Sequence, residues 1–330
     1  MKARIRGRGP QGDDELTSRL LSYLKTFPGT VREIMQLRPT VFYVHTSAGE
    51  FIVKGYSSYN RLILLENFTQ ILKRHGFRDT YTYFRPGRQD PFYANGLYFG
   101  FIDYIPPHPR PFSFQSGEDR SEGLNVLGKF HRATEKIAAS YFLSIPFAKQ
   151  IGKWEERLAR FTANASFISG VIGAEICAEI LEWAEWGLNG MKKGEGLFSE
   201  GPQAILHGDV AHHNFLRARN GKVNLIDFDL ISVGPPLLDY LQYANRILPF
   251  IDWSYETLAT YEGMKGFLKE EAFQHALVYP TDILREWNRI MKGGRFPDSV
   301  KISHVKEMTM HRFSARRNFI KKLRAMVKST

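Results

Sequence analysis

The 330-residue chain contains a single cysteine, Cys177. One thiol cannot form an intrachain disulfide, so a disulfide scaffold is excluded and a reducing compartment suits the chain. Cys177 lies in the apolar run Val171–Ile180 and reads as a buried thiol rather than a reactive one. Long hydrophobic runs are missing too. A membrane-spanning helix needs ~20 apolar residues. The best candidate, Phe167 to Leu188, is interrupted by Glu175, Glu179, Glu182 and Glu185. Lys2, Arg4, Arg6 and Arg8 are not followed by the apolar segment of a secretory signal. These absences predict a cytoplasmic protein that does not span a membrane.

Acid is missing from both ends. Residues 1–10 hold four Lys or Arg and residues 311–330 hold seven, with no Asp or Glu in either stretch. The whole chain has 45 basic and 34 acidic residues, so without these eleven cations the body is balanced, 34 against 34. In the last segment Phe313, Phe319, Ile320, Leu323 and Val327 fall near one helical face. The expectation is an amphipathic helix docked on the body. Its cations would be a solvated face, or would meet an acidic protein or an anionic surface. No nucleic-acid-binding module accompanies them, so specific nucleic-acid binding is not expected.

The most informative stretch is His207-Gly208-Asp209-Val210-Ala211-His212-His213-Asn214, followed by Ile226-Asp227-Phe228-Asp229. Between them, Phe215-Leu216-Arg217 and Val223-Asn224-Leu225-Ile226 read as two short strands turning at Asn220-Gly221. Antiparallel pairing would bring Asn214, at the start of one strand, to Asp227, at the end of the other. Asp209 lies on the loop entering the hairpin. Phosphoryl transfer needs such a set: a carboxylate to meet the acceptor hydroxyl, and an Asn oxygen with a second carboxylate to hold Mg²⁺ against phosphates.

Upstream, residues 14–26 read as a short helix, and Val31–Gln36, Thr40–His45 and Glu50–Tyr56 as strands. A helix is expected from Tyr59 to Arg74, and strands at Thr80–Arg85 and Gly96–Ile105. The Pro106–Pro111 run blocks regular structure and sets a boundary. Beyond it helices are expected at about 119–141, 150–163, 167–190, 235–248, 254–270, 271–292 and 299–328.

H-G-D-x-x-x-x-N followed by I-D-F-D resembles the aminoglycoside phosphotransferase and choline kinase superfamily. The Arg of the protein-kinase H-R-D is Gly208 here, and the Gly of D-F-G is Asp229. The resemblance implies an α+β, bilobal, protein-kinase-like fold. A small β-rich N-lobe, residues 1–105, would have five strands and one main helix. A large, mainly helical C-lobe, residues 106–330, would carry the catalytic hairpin and the basic C-terminal helix. MgATP would bind between the lobes and pass its γ-phosphoryl group to a hydroxyl of a small molecule.

Residue by residue, Lys54 in Phe51-Ile52-Val53-Lys54 resembles the lysine that steadies the phosphates, with Glu66 as its partner. Phe101-Ile102-Asp103-Tyr104-Ile105 resembles the hinge strand, so Asp103, Tyr104 and Ile105 would hold the adenine. Asp209 would be the base, and Asn214 and Asp227 the Mg²⁺ ligands, with Asp229 assisting. No G-x-G-x-x-G occurs; Leu37-Arg38-Pro39-Thr40 takes that turn. His131, in Leu127–Thr134, and Asp239, in Gly234–Tyr240, are implied to be structural, Asp239 by bonding the catalytic loop.

Gly152–Leu158 and His207–Arg217 look most like the spore-coat-associated kinase-like branch, which implies deposition in a spore coat. A scaffold of the same fold with little turnover is the alternative. Trp183, Trp186, Tyr240, Tyr243 and Trp253 are candidates for an acceptor pocket or for the core. A polycationic antibiotic acceptor is not expected of a chain that is balanced in its body and basic at its ends.

Overall fold

The computed structural model describes residues 4–6, 12–27, 29–85, 91–292 and 297–328. Of the N-terminal cations, Lys2 and Arg8 lie outside the described residues. The chain forms two compact units, one of residues 1–111 with Leu216–Phe228, the other of residues 112–215 with 229–330.

The first unit contains β1 (Arg4–Arg6), α1 (Gly12–Leu24), β2 (Val31–Arg38), β3 (Val41–Thr46), β4 (Glu50–Tyr56), α2 (Tyr59–Arg74), β5 (Tyr83–Phe84), β6 (Phe92–Ala94) and β7 (Leu97–Asp103). These strands make a seven-stranded sheet in the order β1-β2-β3-β4-β7-β5, with β6 also on β7. Five strands were expected. β1 is added in parallel beside β2, a long-range pairing without a local signal. β6 pairs with β7 across Asn95-Gly96, both at positive φ, a tight-turn dipeptide. The strand expected over Thr80–Arg85 is only Tyr83–Phe84.

Leu16, Leu20 and Leu24 of α1 join Ile34, Phe42, Val44 and Phe99 in the core. Their spacing of four puts them on one helical face, while alternate strand residues point the same way. α2 starts at Ser58, whose hydroxyl accepts from the Arg61 N–H, and buries Leu62, Leu65, Phe68 and Leu72.

The expected boundary at residue 105 moves. The 106–108 segment bonds to the hairpin: His108 N donates to the Arg217 carbonyl at 2.9 Å and Arg219 N to the Pro106 carbonyl at 2.8 Å. Leu225 N also donates to the Asp79 carbonyl at 2.9 Å. The hairpin strands, Phe215–Arg217 and Val223–Leu225, therefore go mainly with the first unit. Their turn closes by Gly221 N donating to Ala218 O at 2.8 Å, with only Gly221 of the Asn-Gly pair at positive φ (+86°).

The second unit is mainly helical. It holds α3 (Gly117–Glu135), α4 (Gln150–Ala163), α5 (Ala165–Ile172), α6 (Ala174–Lys193) and α7 (Gly196–Ser199). Strands β8 (Ala204–Leu206) and β9 (Ser232–Gly234) pair antiparallel. Then come α8 (Leu237–Ile247), α9 (Tyr255–Thr260), α10 (Glu262–Lys265), α11 (Glu271–Val278), α12 (Thr281–Ile290), α13 (Ser299–Met310) and α14 (Phe313–Lys328). Of the long helices expected from periodicity, those over 167–190, 271–292 and 299–328 are broken at Gly173 (φ +94°), at Pro280 and at Arg312 (φ +54°). That over 254–270 is split at Tyr261 into α9 and α10, and that over 119–141 ends at Glu135. The breaks let each half turn its own apolar face inward.

α14 shows where the C-terminal cations go. Phe313, Phe319, Ile320 and Leu323 are buried, as an amphipathic helix requires. Five of the seven cations, however, pair with acids of this same unit. Arg312 meets Asp252 (2.9 Å), Arg316 meets Asp282 (2.6 Å), Arg317 meets Glu179 (2.6 Å), Arg324 meets Glu182 (2.8 Å), and Lys322 pairs with Glu256. The excess positive charge expected to seek an acidic protein or anionic surface is largely engaged within the chain.

Candidate active site

In the first unit, β4 buries Val53 and Tyr56 and holds Lys54 half-buried between them. Lys54 Nζ lies 2.6 Å from Asp227 Oδ1, and Arg38 Nη1 lies 3.8 Å from Asp227 Oδ2. Asp227 holds φ at +71°, a conformation that side chains other than Gly adopt at some expense. The next residue keeps it there. The Phe228 ring packs edge-on against Phe68 (5.4 Å) and against Tyr81 (5.7 Å), and the Phe228 carbonyl accepts from Arg61 at 3.2 Å.

Glu66 is buried on α2, as expected, but its Oε2 accepts from Arg85, from Nη2 at 2.9 Å and Nε at 3.3 Å. A charge that balances Lys54 at hydrogen-bond distance is that of Asp227. Arg85, just past β5, was the missing element: two donors of its rigid fork converge on one Glu66 oxygen. The hinge expectation also narrows. β7 stops at Asp103, whose N–H donates to the Thr82 carbonyl at 2.9 Å and so is engaged in the sheet. Tyr104 and Ile105 lie beyond the strand, Tyr104 with its ring 5.0 Å from Tyr43.

In the second unit, the loop after β8 is held by one buried carboxylate. Asp239 Oδ2 accepts from His207 N at 2.7 Å and lies 2.9 Å from His131 Nε2; Oδ1 accepts from Gly208 N at 3.0 Å. Burial acts to raise the Asp239 carboxyl, but the His131 bond, the charges of His131 and His207 and the Gly208 N–H outweigh it and hold it below the ordinary range. His131 and Asp239 thus have the structural roles the resemblance implied. Gln242, one turn on, accepts from Val210 N at 2.7 Å and donates to the Gly208 carbonyl at 2.9 Å. Gly208 itself has φ +78°, and a Cβ there would stand 2.2 Å from the Leu230 carbonyl oxygen. No arginine fits at that position.

So fixed, the loop presents Asp209. Asn214 Nδ2 donates to the Asp209 carbonyl at 2.8 Å and to its Oδ2 at 3.3 Å. Arg246 Nη2 donates to Asp209 Oδ1 at 3.1 Å. Asp239, Gln242 and Arg246 follow at intervals of three and four, one face of α8 turned to the loop. That periodicity was the signal for Gln242 and Arg246, which motif reading missed.

Each unit offers one oxygen donor of the kind that Mg²⁺, rather than a softer metal, takes. The Asn214 amide nitrogen is committed to Asp209, so what remains of that buried amide is its oxygen, and Asp227 offers a carboxylate. Among the described residues no three His, Cys, Asp or Glu side chains cluster as a ready-made metal site. Mg²⁺ beside phosphates needs only one or two protein oxygens. Asp229, also expected near the metal, is exposed. Of the five aromatic candidates none lines the cleft beside Asp209. Trp183 stacks on Phe313, Trp186 on His275, and Tyr243 is buried with its hydroxyl on the Arg120 carbonyl.

A sheet unit with one long helix and a helical unit carrying an H-G-D loop make a kinase-like fold. Similar solved structures show the same. An aminoglycoside phosphotransferase from Alicyclobacillus acidocaldarius is 14% identical, with a TM-score of 0.74 and 98% of each chain covered. The macrolide 2′-phosphotransferase of Brachybacterium faecium is 14% identical (TM-score 0.53, 88% of this chain and 97% of that one). A spectinomycin phosphotransferase in complex with ADP and spectinomycin is 13% identical (TM-score 0.55, 92% and 93%). No curated protein matches in sequence. The phosphotransferase enzyme family matches residues 31–262, most of the chain, and the chain belongs to that family.

Proposed function

We propose that the chain is an ATP-dependent small-molecule kinase that phosphorylates a hydroxyl group. The observation that carries this is the Asp209 loop. Its carboxylate is oriented by Asn214 and Arg246, on a backbone gripped by Asp239 and Gln242. A carboxylate held so firmly can receive a hydroxyl proton at one place. The acceptor oxygen attacks the γ-phosphorus and a new O–P bond forms. The bond from that phosphorus to the β–γ bridging oxygen breaks, and ADP leaves with the electron pair. The hydroxyl proton passes to Asp209.

Lys54 steadies the phosphates, and Tyr104 and Ile105 lend backbone groups to the adenine. Asn214 and Asp227, with Asp229 nearby in sequence, supply the oxygens for Mg²⁺. When bound, the ion neutralises charge on the phosphates. Lys54 and Asp227 now neutralise each other, a pairing that phosphates and a cation can take over group by group. The spectinomycin phosphotransferase that resembles this chain is described with ADP and its small-molecule partner, which supports the same two kinds of ligand here. The strings behind the spore-coat resemblance form the α4 start and the loop of this site. Deposition in a coat would add a location and leave the chemistry as it is.

ADP release from MgATP, measured across a panel of small hydroxyl compounds, tests the reading and separates it from an inactive scaffold. At least one compound should support turnover, and Asp209→Asn should lower it by about 10²–10⁴-fold. Undiminished turnover in Asp209→Asn would remove Asp209 from the chemistry.

A further inference from the structure

Beside Asp209, within the second unit, lies a cleft of about 340 Å³. Its charged wall consists of Lys153 and Arg157 from α4, Arg246 from α8, Arg285 and Asp282 from α12, and Asp209. Both acids are already engaged. Asp209 pairs with Arg246, and Asp282 pairs with Arg316 of α14, which reaches it from outside the cleft wall. Three cations remain. The Lys153 side chain has no ion-pair or hydrogen-bond partner at bonding distance among the described residues, and Asp209 attracts it only from farther off. Arg157 donates to the Thr281 carbonyl at 3.3 Å and to its hydroxyl, both neutral groups. Arg285 pairs with Glu286, which does not line the cleft.

The cations act on one another. Burial first, then the charges of Arg157 and Arg285, push the Lys153 ammonium below its ordinary value. Burial and Arg285 do the same to Arg157 and Arg246, outweighing the opposite pull of Asp282 on both, of Tyr279 and Glu286 on Arg157, and of Asp209 on Arg246. Guanidinium groups do not shed their protons in proteins, so the repulsion persists as a positive field in the cleft. A positively charged acceptor would meet that field at each wall, whereas an anion would relieve it.

Resting on the kinase reading above, we propose that the acceptor is an anionic hydroxyl compound. Its phosphate or carboxylate group is held by Lys153, Arg157 and Arg285 while its hydroxyl meets Asp209. Arginine forks suit both anionic groups because two parallel N–H bonds match two oxygens. α4 and α12 each contribute neighbouring cleft residues, at i, i+4 (Lys153, Arg157) and i, i+3 (Asp282, Arg285), so the site is built from two helix faces rather than a mobile loop.

The test uses inorganic phosphate as probe and the full chain saturated with MgADP, so that the nucleotide site is filled. Melting is followed in sodium phosphate and in sodium chloride of equal ionic strength. Phosphate should give a saturable rise in Tm that chloride does not. The double variant Lys153→Met, Arg285→Met removes two mutually repelling cations that still reach solvent, so its Tm in chloride should be kept or raised while most of the phosphate effect is lost. Glycerol 3-phosphate against glycerol, glucose 6-phosphate against glucose and glycerate against glycerol then separate phosphate from carboxylate, with choline and kanamycin as cationic comparisons. The anionic member should be favoured at least about tenfold in kcat/KM.

Phosphate acting no better than chloride, the double variant responding like wild type, or choline or kanamycin outpacing the anions would each overturn the proposal. A missing MgADP shift would strike the kinase reading instead, and the phosphate titration would still decide the cleft.

Discussion

Replacing Asp239 by Asn probes the clamp on which the loop depends. The substitution keeps the size of the side chain and turns one acceptor oxygen into an NH₂ donor. Asp239 accepts from His207 N and Gly208 N through different oxygens, with His131 on the first. Either orientation of the amide therefore points a donor at a backbone N–H. A buried donor left without an acceptor costs ~1–3 kcal/mol, and here two are stranded, the N–H and the new NH₂.

The expected loss is about 3–5 kcal/mol, as for breaking a buried charged pair. At ~2–4 °C per kcal/mol for a unit of this size, the melting midpoint should drop by on the order of 10 °C. The pH dependence has a definite sign. The folded Asp239 carboxyl is held below the ordinary value of about 3.9, so its stabilisation is complete above that value and is lost as pH falls through the folded one. The gap between wild type and Asp239→Asn should be widest near neutral pH and narrow on acidification. Circular-dichroism melts across the pH range measure it. An Asn variant melting within a degree or two of wild type at pH 7 would mean the loop is held by something else.

Three further outcomes are expected. Asp209→Asn should abolish most phosphoryl transfer with nucleotide affinity nearly unchanged, whereas Asp227→Asn should weaken Mg²⁺-dependent nucleotide binding, both read by calorimetric titration and single-turnover assay. Gly208→Ala forces a non-glycine residue to φ +78° at about 1–2 kcal/mol and drives its Cβ towards the Leu230 carbonyl. A displacement of Asp209 by ~1 Å would lower turnover about 10²-fold, against an otherwise native circular-dichroism spectrum. Arg316→Met removes a guanidinium stacked 4.0 Å over Trp253 and paired with Asp282, and should cost about 1–3 kcal/mol at neutral pH in a urea titration. Burial acts to raise the Asp282 carboxyl, but Arg316 outweighs it and holds it low, so this loss too should shrink on acidification.

What could be read from the sequence was local. The H-G-D loop, the hairpin and the α2 helix each sit in a short window, where spacing fixes geometry. His131 and Asp239 were legible because both stand in short recognisable strings. What escaped depended on distant partners. Arg85 takes Glu66 of α2 from 19 residues away. The cleft cations come from α4, α8 and α12, and no single window contains them. The C-terminal cations looked unpaired because their acids, Glu179, Glu182, Asp252, Glu256 and Asp282, lie from about 30 to 140 residues upstream. A charge count along a chain cannot see such neutralisation.

The most direct measurement is the melting temperature with MgATP or MgADP, with and without EDTA, in the wild type and in Asp227→Asn. A rise is expected with either magnesium nucleotide, by the mass action of binding to the native state. EDTA should remove the rise, and Asp227→Asn should largely abolish it. No shift with several millimolar MgATP or MgADP, and none with other nucleotides, would contradict it.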